Sequence, residues 1–508
     1  MKILQISHND WSKTYSLSDG IQWYCYDPQA KTNFDLRAVD SFDATIINCP
    51  CELEDLLIFE PLINPYTLVI DQTLQPDFDK SYDTFFKQKM ARFEELSSPQ
   101  MWMDELPKKY FTEQFGRKLP IQKIVFSPLH KDRVWYEGTK YFATHISYEG
   151  EYRQLLFWKL NIEYDNQYDM ELWLEYKISK GCSIEFDVQF VQEGSGDVIL
   201  FHKRYQEDEL AEPIPFSHEK SGYIVCSVFV KGEGLVEIGP IHYRHARRGV
   251  GHFFPGGRRL VDQNRQELFV YFHPGNLKPP FNIYFAGYRL EEGFEGYPMM
   301  KGFDHPFLLI TDPRLEGGNF YVGTQELEDQ LLQVIYEYIV MLGLAEGDVI
   351  MSGLSMGSFG ALYYGAKIKP HAIILGKPIL DVGYTAELTR LVRPYDFLTA
   401  LDMAKYWDKS DGQGQLIPLP EFHQDLKKHW TEENCFEDTM LLIARMEQDD
   451  YDDQAYYTLL ETQSGKPTTI IARGYPGRHN DDSKTIVDWF EYQYHRVIDE
   501  YAKSREKI

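Results

Sequence analysis

One short stretch limits the folds open to this chain more than any other: Gly353-Leu354-Ser355-Met356-Gly357. Before it lies Asp348-Val349-Ile350-Met351-Ser352, an apolar run rich in β-formers, and after it Ser358 to Ala366, a small-residue segment of helical character. A strand, a G-x-S-x-G turn and a helix in that order read as a nucleophile elbow. The turn is tight, so the positions two before and two after the serine must be small, and Gly353 and Gly357 meet that need. Ser355 Oγ would then stand exposed at the carboxyl edge of a sheet, above a helix N-terminus that favours developing negative charge. The competing reading is a serine in an ordinary βα turn, and the flanking strand and helix argue against it.

A serine hydroxyl is a weak nucleophile and needs a base, which needs an orienting acid. In hydrolases built on such an elbow the chain order is serine, acid, histidine. His479 lies in Gly474-Tyr475-Pro476-Gly477-Arg478-His479, between the strand-like Thr468 to Ala472 and a final helix, and is the expected base. His495 falls inside that helix and reads as a surface residue. The acid should follow the strand Met440 to Arg445, where Met446-Glu447-Gln448-Asp449-Asp450-Tyr451-Asp452-Asp453 offers five carboxylates. Most of these read as solvated or helix-capping groups. By position alone, Glu447 and Asp449 are equal candidates.

An oxyanion site needs backbone N–H groups aimed at the developing charge. Met356, next after the nucleophile, supplies one. The strand-like Asn282 to Ala286 opens onto Gly287-Tyr288-Arg289, so Gly287 or Tyr288 is the expected second donor.

At 508 residues the chain is too long for one core, and two or three domains are expected. Its formal net charge of −26 opposes a nucleic-acid partner, which would require a basic surface, and opposes direct docking on anionic lipid. No apolar run has the length of a membrane span, and the opening residues lack the apolar core of a signal peptide. Cysteines stand at 25, 49, 51, 182, 226 and 435, with Cys49-Pro50-Cys51 too close for a usual disulfide and no zinc-like spacing. A reduced, cytoplasmic protein without a metal is expected. Thirty-five Tyr and 32 Phe are foremost core material, though aromatic rings also suit stacking on sugars.

Three regions differ in texture. From Met1 to Leu119 (1–119), strand-like runs at Lys2 to Ile6, Ala44 to Asn48 and Tyr66 to Ile70 alternate with helical ones, the longest from Lys80 to Leu96. This predicts an N-terminal α/β region. From Pro120 to Arg247 (120–247), period-two alternation such as Cys182-Ser183-Ile184-Glu185-Phe186-Asp187-Val188 predicts an antiparallel β-sandwich, structural or carbohydrate-facing. From 248 to 508, strands and helices alternate as an α/β-hydrolase domain requires, with the elbow in mid-domain. The polar segment Asp381 to Thr439 (381–439) has no place in that alternation and reads as an inserted cap.

The chain also resembles a known family. Met1-Lys2-Ile3-Leu4-Gln5-Ile6 with Asp10-Trp11-Ser12, the Ser352 to Ala361 elbow, the Met446 to Asp452 segment and the Gly477-Arg478-His479-Asn480 loop look like the second accessory secretory protein family. That family belongs to the accessory Sec system of Gram-positive bacteria. The resemblance implies a role in exporting serine-rich-repeat glycoprotein adhesins, with other accessory secretory proteins and an accessory SecA motor ATPase as partners. It also implies O-acetylation of N-acetylglucosamine on the adhesin, with Ser355 as nucleophile, Glu447 as acid and His479 as base. The acetyl donor would be a substrate such as acetyl-CoA, with no tightly bound cofactor, and the protein would sit in the cytoplasm or at the membrane through the export complex. A plain serine esterase or deacetylase would use the same triad, and a non-catalytic export scaffold could carry the same fold.

Overall fold

The structure is a computed structural model that describes residues 1–32, 36, 39–391, 398–407, 418–430, 436–464 and 467–505. In the N-terminal region, β1 (Lys2–Ile6), β2 (Gln22–Tyr26), β3 (Ala44–Ile47), β4 (Leu68–Asp71) and β5 (Arg92–Glu94) form a wholly parallel sheet in the order β2-β1-β3-β4-β5. Strands β1, β3 and β4 are buried runs of Ile, Leu and Val, as expected of parallel strands covered on both faces. The helix expected from Lys80 to Leu96 is shorter. It spans only Asp83–Lys89, because Met90 takes a left-handed φ of 45° and residues 92–94 become the edge strand.

The middle region contributes β6 (Gly116–Leu119), β7 (Ile124–Phe126), β8 (Val134–Glu137), β9 (Tyr141–Trp158), β10 (Ile162–Tyr164), β11 (Met170–Ile178), β12 (Cys182–Gln192), β13 (Ile199–Tyr205), β14 (Ile214–Phe216) and β15 (Gly222–His245). These ten strands are joined by hydrogen bonds into one antiparallel sheet. Two separate sheets are not needed, because the 24-residue β15 and 18-residue β9 each run through both halves and shift register at bulges. Ile184, Phe186, Val188 and Phe190 from β12 meet Ile224, Cys226, Val228 and Val230 from β15 in one apolar cluster. Strand β6, which the sequence pattern places in the first region, pairs with the end of β15, so the middle sheet begins at Gly116.

The C-terminal sheet comprises β16 (Arg258–Val261), β17 (Glu267–His273), β18 (Phe281–Phe285), β19 (Phe307–Thr311), β20 (Val349–Leu354), β21 (Ala372–Gly376), β22 (Met440–Met446) and β23 (Thr469–Tyr475). Their order is β16-β17-β19-β18-β20-β21-β22-β23, with β17 antiparallel to both neighbours and β18 through β23 parallel. Counted within the domain this is 1-2-4-3-5-6-7-8, the α/β-hydrolase arrangement that the elbow led us to expect. Helix Gln325–Leu342 lies against one face through Leu327, Leu331, Val334 and Ile335, a stripe at helical spacing. It starts on the Thr324 hydroxyl and stops at Gly343, where φ is 67°. Helix Ser483–Arg505 covers the other face through Ile486, Phe490, Tyr494 and Val497.

Between β21 and β22 the chain forms helices Val382–Leu391, Thr399–Trp407 and Leu419–Lys428. Parts of the expected cap, namely 392–397, 408–417 and 431–435 with Cys435, lie outside the described residues. The described part packs on the helix that follows the elbow, with the Trp430 ring edge-on to Phe359 at 5.2 Å. Among the described residues, no helix is long and apolar enough to cross a membrane.

A buried charge network joins the middle and C-terminal regions. Arg244 of β15 donates to Glu292 and to both oxygens of Glu267, while Arg259 also donates to Glu267. His242 places Nε2 2.8 Å from Glu175 and Nδ1 2.5 Å from Glu292. Burial pulls the His242 pKa down, but the two carboxylates outweigh it and raise the pKa above its ordinary value. Burial would raise the Glu267 pKa, yet Arg244 and Arg259 bring it down to about 2. Two guanidiniums and the His242 ring thus face three carboxylates. Arg244→Met would leave Glu267 with Arg259 and Glu292 with His242 but one buried guanidinium fewer between them, so it should destabilise the protein by up to about 3–5 kcal/mol. The denaturant midpoint reads this loss, and adding Glu267→Gln and Glu292→Gln to the variant should recover part of it.

Candidate active site

The elbow forms as a hydrolase turn. Ser355 follows β20 directly and is the N-cap of helix Met356–Ile368, with its backbone at φ 54° and ψ −123°. A non-glycine residue in that region is strained and persists only where its surroundings hold it. Here the Ser355 N–H donates to Gly376 O of β21 at 2.8 Å, and Ser355 O accepts from the Ser358 N–H and hydroxyl. The flanking glycines are required by contact. A Cβ on Gly353 would lie 2.2 Å from the Gly357 carbonyl, and one on Gly357 would lie 2.1 Å from Phe285 O.

His479 lies in the loop after β23, and Nε2 is 2.8 Å from Ser355 Oγ. The imidazole is 2% exposed, and Tyr451 sits edge-on to it at 4.6 Å. Its Nδ1 is 3.0 and 2.9 Å from the two oxygens of Asp449, and the backbone N–H of His479 donates to Asp450. Two partners fix this loop to the loop after β22. Gln448 N–H donates to Gly477 O, and Gly477 N–H donates to the Gln448 side chain.

The carboxylate that meets the imidazole is Asp449, and the expectation that Glu447 stands there is corrected. Glu447 is exposed, and its carboxylate lies along Gly474 of β23, away from the imidazole. Its backbone N–H still pairs with Tyr475 O as an extension of the sheet, so its side chain is directed by the strand. Asp449 falls two residues later, just past the turn at Glu447 and Gln448. There its oxygens accept the Tyr451 and Asp452 N–H groups and meet the ring.

Of the three expected oxyanion donors, Met356 is the first residue of its helix, so its N–H has no intrahelical acceptor. Gly287 approaches the elbow, since a Cβ there would lie 3.3 Å from Leu354 O, but its N–H already donates to the Glu295 carboxylate at 2.7 Å. The Tyr288 ring packs over Gly317, beside Gly318, which abuts the Met356 side chain. That wall is rigid. Asp312, fully buried with Arg314, accepts the guanidinium and the N–H groups of Asn319 and Tyr321. Thr399 of the cap donates to Gly318 O, and Asp402 accepts from Thr139 of the middle sheet. The site thus lies where all these parts converge.

Sequence reasoning missed two groups beside the triad. Lys377 follows β21 at φ 52°, is 7% exposed and donates to Ser483. Burial lowers its pKa against the opposing pull of Asp449, Asp482 and Glu295. Asp452 accepts the N–H groups of Leu380 and Asp381, both at 2.7 Å, and ties the start of the cap to the acid loop. Nothing in the spacing singles out either residue, because each acts through packing of distant segments.

Comparison with known proteins places this architecture. A profile of the family described as accessory Sec system GspB-transporter matches residues 1–503. An accessory Sec system protein of Streptococcus gordonii is 34% identical over 514 residues, covering 100% of this chain and 99% of its own length. One from Staphylococcus aureus is 34% identical over 516 residues, covering 98% and 97%. In the solved glycosylation associate protein (Gap123) complex from Streptococcus agalactiae, one chain is 32% identical with a TM-score of 0.88, covering 98% of each chain.

Two outcomes follow from the geometry. A serine-directed fluorophosphonate should label Ser355, and His479→Ala or Asp449→Asn should slow labelling by about 10³-fold or more, while Glu447→Gln leaves it near wild type. Intact-protein mass spectrometry reads the rates. Burial pushes the Asp452 pKa up to about 7 from an ordinary 3.8, against the two N–H groups it accepts. The folded state therefore holds that proton more tightly, and this stability is present at low pH and lost as pH rises towards 7. Between pH 5 and 8, the melting temperature of Asp452→Asn should fall less than that of the wild type.

Proposed function

This chain belongs to the accessory Sec system GspB-transporter family, and on that premise we propose that it is an O-acetyltransferase acting within the adhesin export system. Its acceptor in this reading is N-acetylglucosamine on a serine-rich-repeat glycoprotein adhesin, and its donor is an acetyl thioester of the acetyl-CoA class. The observation that carries the proposal is the unbroken chain from Ser355 Oγ through the His479 ring to Asp449, set on a strained elbow.

In the first half-reaction Ser355 Oγ attacks the acetyl carbonyl while His479 Nε2 takes its proton. Asp449 holds the ring so that Nε2 faces the serine, and its carboxylate stabilises the imidazolium. The carbonyl oxygen becomes an oxyanion facing the Met356 N–H and the helix N-terminus. Collapse breaks the bond to the donor's leaving group, which departs with the proton held by His479. A sugar hydroxyl then gives its proton to His479 and attacks the acetyl-serine, releasing acetylated sugar and free Ser355. Water at the same position would give acetate, so exclusion of water decides between transfer and hydrolysis. The cap helices, the Asp312–Tyr321 wall and the Thr139 loop of the middle sheet are the parts placed to exclude it.

In this reading the N-terminal and middle regions meet the other accessory secretory proteins and the accessory SecA motor, and export is separable from acetylation. Cells lacking the native gene and expressing Ser355→Ala should display the adhesin at the surface with its glycans unacetylated. Mass spectrometry of the surface glycan, beside cells carrying the wild-type gene, measures this. Purified protein should transfer acetyl groups to the glycosylated adhesin only when donor and Ser355 are both present. Release of acetate at equal rate with and without adhesin would make the protein an esterase. Acetylation that persists in Ser355→Ala would remove the serine from the mechanism.

A further inference from the structure

At the opposite end of the C-terminal sheet from Ser355, a cleft of about 420 Å³ separates the N-terminal region from the floor of the hydrolase domain. Lys89, Asn64 and Glu60 line one side, and His273, Lys301 and Asp304 line the other. His273 ends β17 level with the start of β19, and its ring stacks on Phe307 with centroids 4.7 Å apart. The residue is 9% exposed. Its Nδ1 accepts the Gly275 N–H, so the neutral ring carries its proton on Nε2. That Nε2 is buried and has no hydrogen-bond partner. A buried donor left unmatched is costly, which asks for an acceptor.

The surroundings say what kind of acceptor. Lys89 Nζ donates only to Glu60 O, and Lys301 Nζ donates to Asn64 Oδ1 at 3.3 Å. Among the described residues, neither ammonium has a carboxylate within ion-pair distance, although Glu60 and Asp304 stand at the rim. Burial, then Lys301 and Lys89, hold the His273 pKa down to about 3, so the field at the ring is cationic and the ring stays neutral. Lys89 and Lys301 also repel each other. Two unpaired ammoniums and one unmatched N–H converge on a single space in a chain of net charge −26.

We propose that this cleft binds a small oxyanion, the phosphoryl group of phosphate or of a phosphorylated metabolite, and that the bound anion clamps the N-terminal region to the hydrolase domain. Its oxygens would accept from His273 Nε2 and from both lysines as charge-assisted hydrogen bonds. Because the groups come from both regions, occupancy stabilises their contact and leaves the triad at the other end untouched.

The test uses full-length protein with inorganic phosphate or a hexose phosphate, against chloride at equal ionic strength. Phosphate should raise the melting temperature with a saturable dependence on concentration, and it should shift the His273 Nε2 proton resonance. Lys301→Met, on the exposed rim, should weaken the apparent affinity about tenfold or more. His273→Phe, which keeps the stacking on Phe307, should do the same while fluorophosphonate labelling of Ser355 stays at wild-type rate. Tighter binding of the hexose phosphate would make a phosphorylated metabolite the ligand, and equal binding would make it free phosphate. The proposal fails if phosphate does no more than chloride, or if both variants respond as the wild type does, in which case a buried water satisfies His273.

Discussion

Ser355 sits at φ 54° and ψ −123°, and the C-terminal half of the chain is arranged to keep it there. Such a backbone costs about 1–3 kcal/mol, and no local preference of serine favours it. The strain is opposed from three sides. Strand β20 enters the turn paired with β18 and β21, the N–H of Ser355 extends that pairing to Gly376, and the helix leaving the turn is buried almost throughout. Gly357 presses against Phe285 O, so strand, turn and helix cannot relax separately. A sheet buried on both faces by Gln325–Leu342 and Ser483–Arg505 makes that clamp stiff.

The same sheet delivers the other two groups. Parallel pairing of β22 with β23 puts the loops after them side by side, and the bonds between Gln448 and Gly477 carry the pairing beyond the strands. Asp449 and His479 are thereby placed by backbone before their side chains meet. The histidine is buried between Tyr451, Asp449 and the serine, where a hydrogen bond gains strength from the low local dielectric. On the far side, the network around Arg244 fastens the middle sheet to the hydrolase sheet. Its balance of charges matters more than their number, since any one removed leaves the buried cations and carboxylates unequal.

The hydrolase half was legible because its signals are local. Strand, small-residue turn and helix follow one another within about twenty residues, and the glycine at 353 is dictated by the nearby Gly357 carbonyl, while the one at 357 answers to Phe285 O of β18. His479 was legible by its place after the last strand. The choice between Glu447 and Asp449 was not, because it depends on where β22 ends and which carboxylate the turn beyond it brings to the ring. Gly287 was misjudged for a similar reason: its N–H faces Glu295, eight residues later, and no pattern records that. The helix sought from Lys80 to Leu96 failed at one residue, Met90, whose left-handed backbone opened a strand in its place.

Sequence alone determined the order of the regions, the period-two texture of the middle one and the elbow with its histidine, since periodicity and the strand-turn-helix succession are properties of neighbouring residues. Family membership adds the setting in which such a site would work. Only the tertiary structure decided which carboxylate orients His479, how one 24-residue strand joins two halves of a sheet, and which charges meet between domains. Those contacts join residues tens to more than a hundred positions apart, and their energies depend on burial and direction. Composition and spacing carry neither, so these features become visible only when the chain is folded.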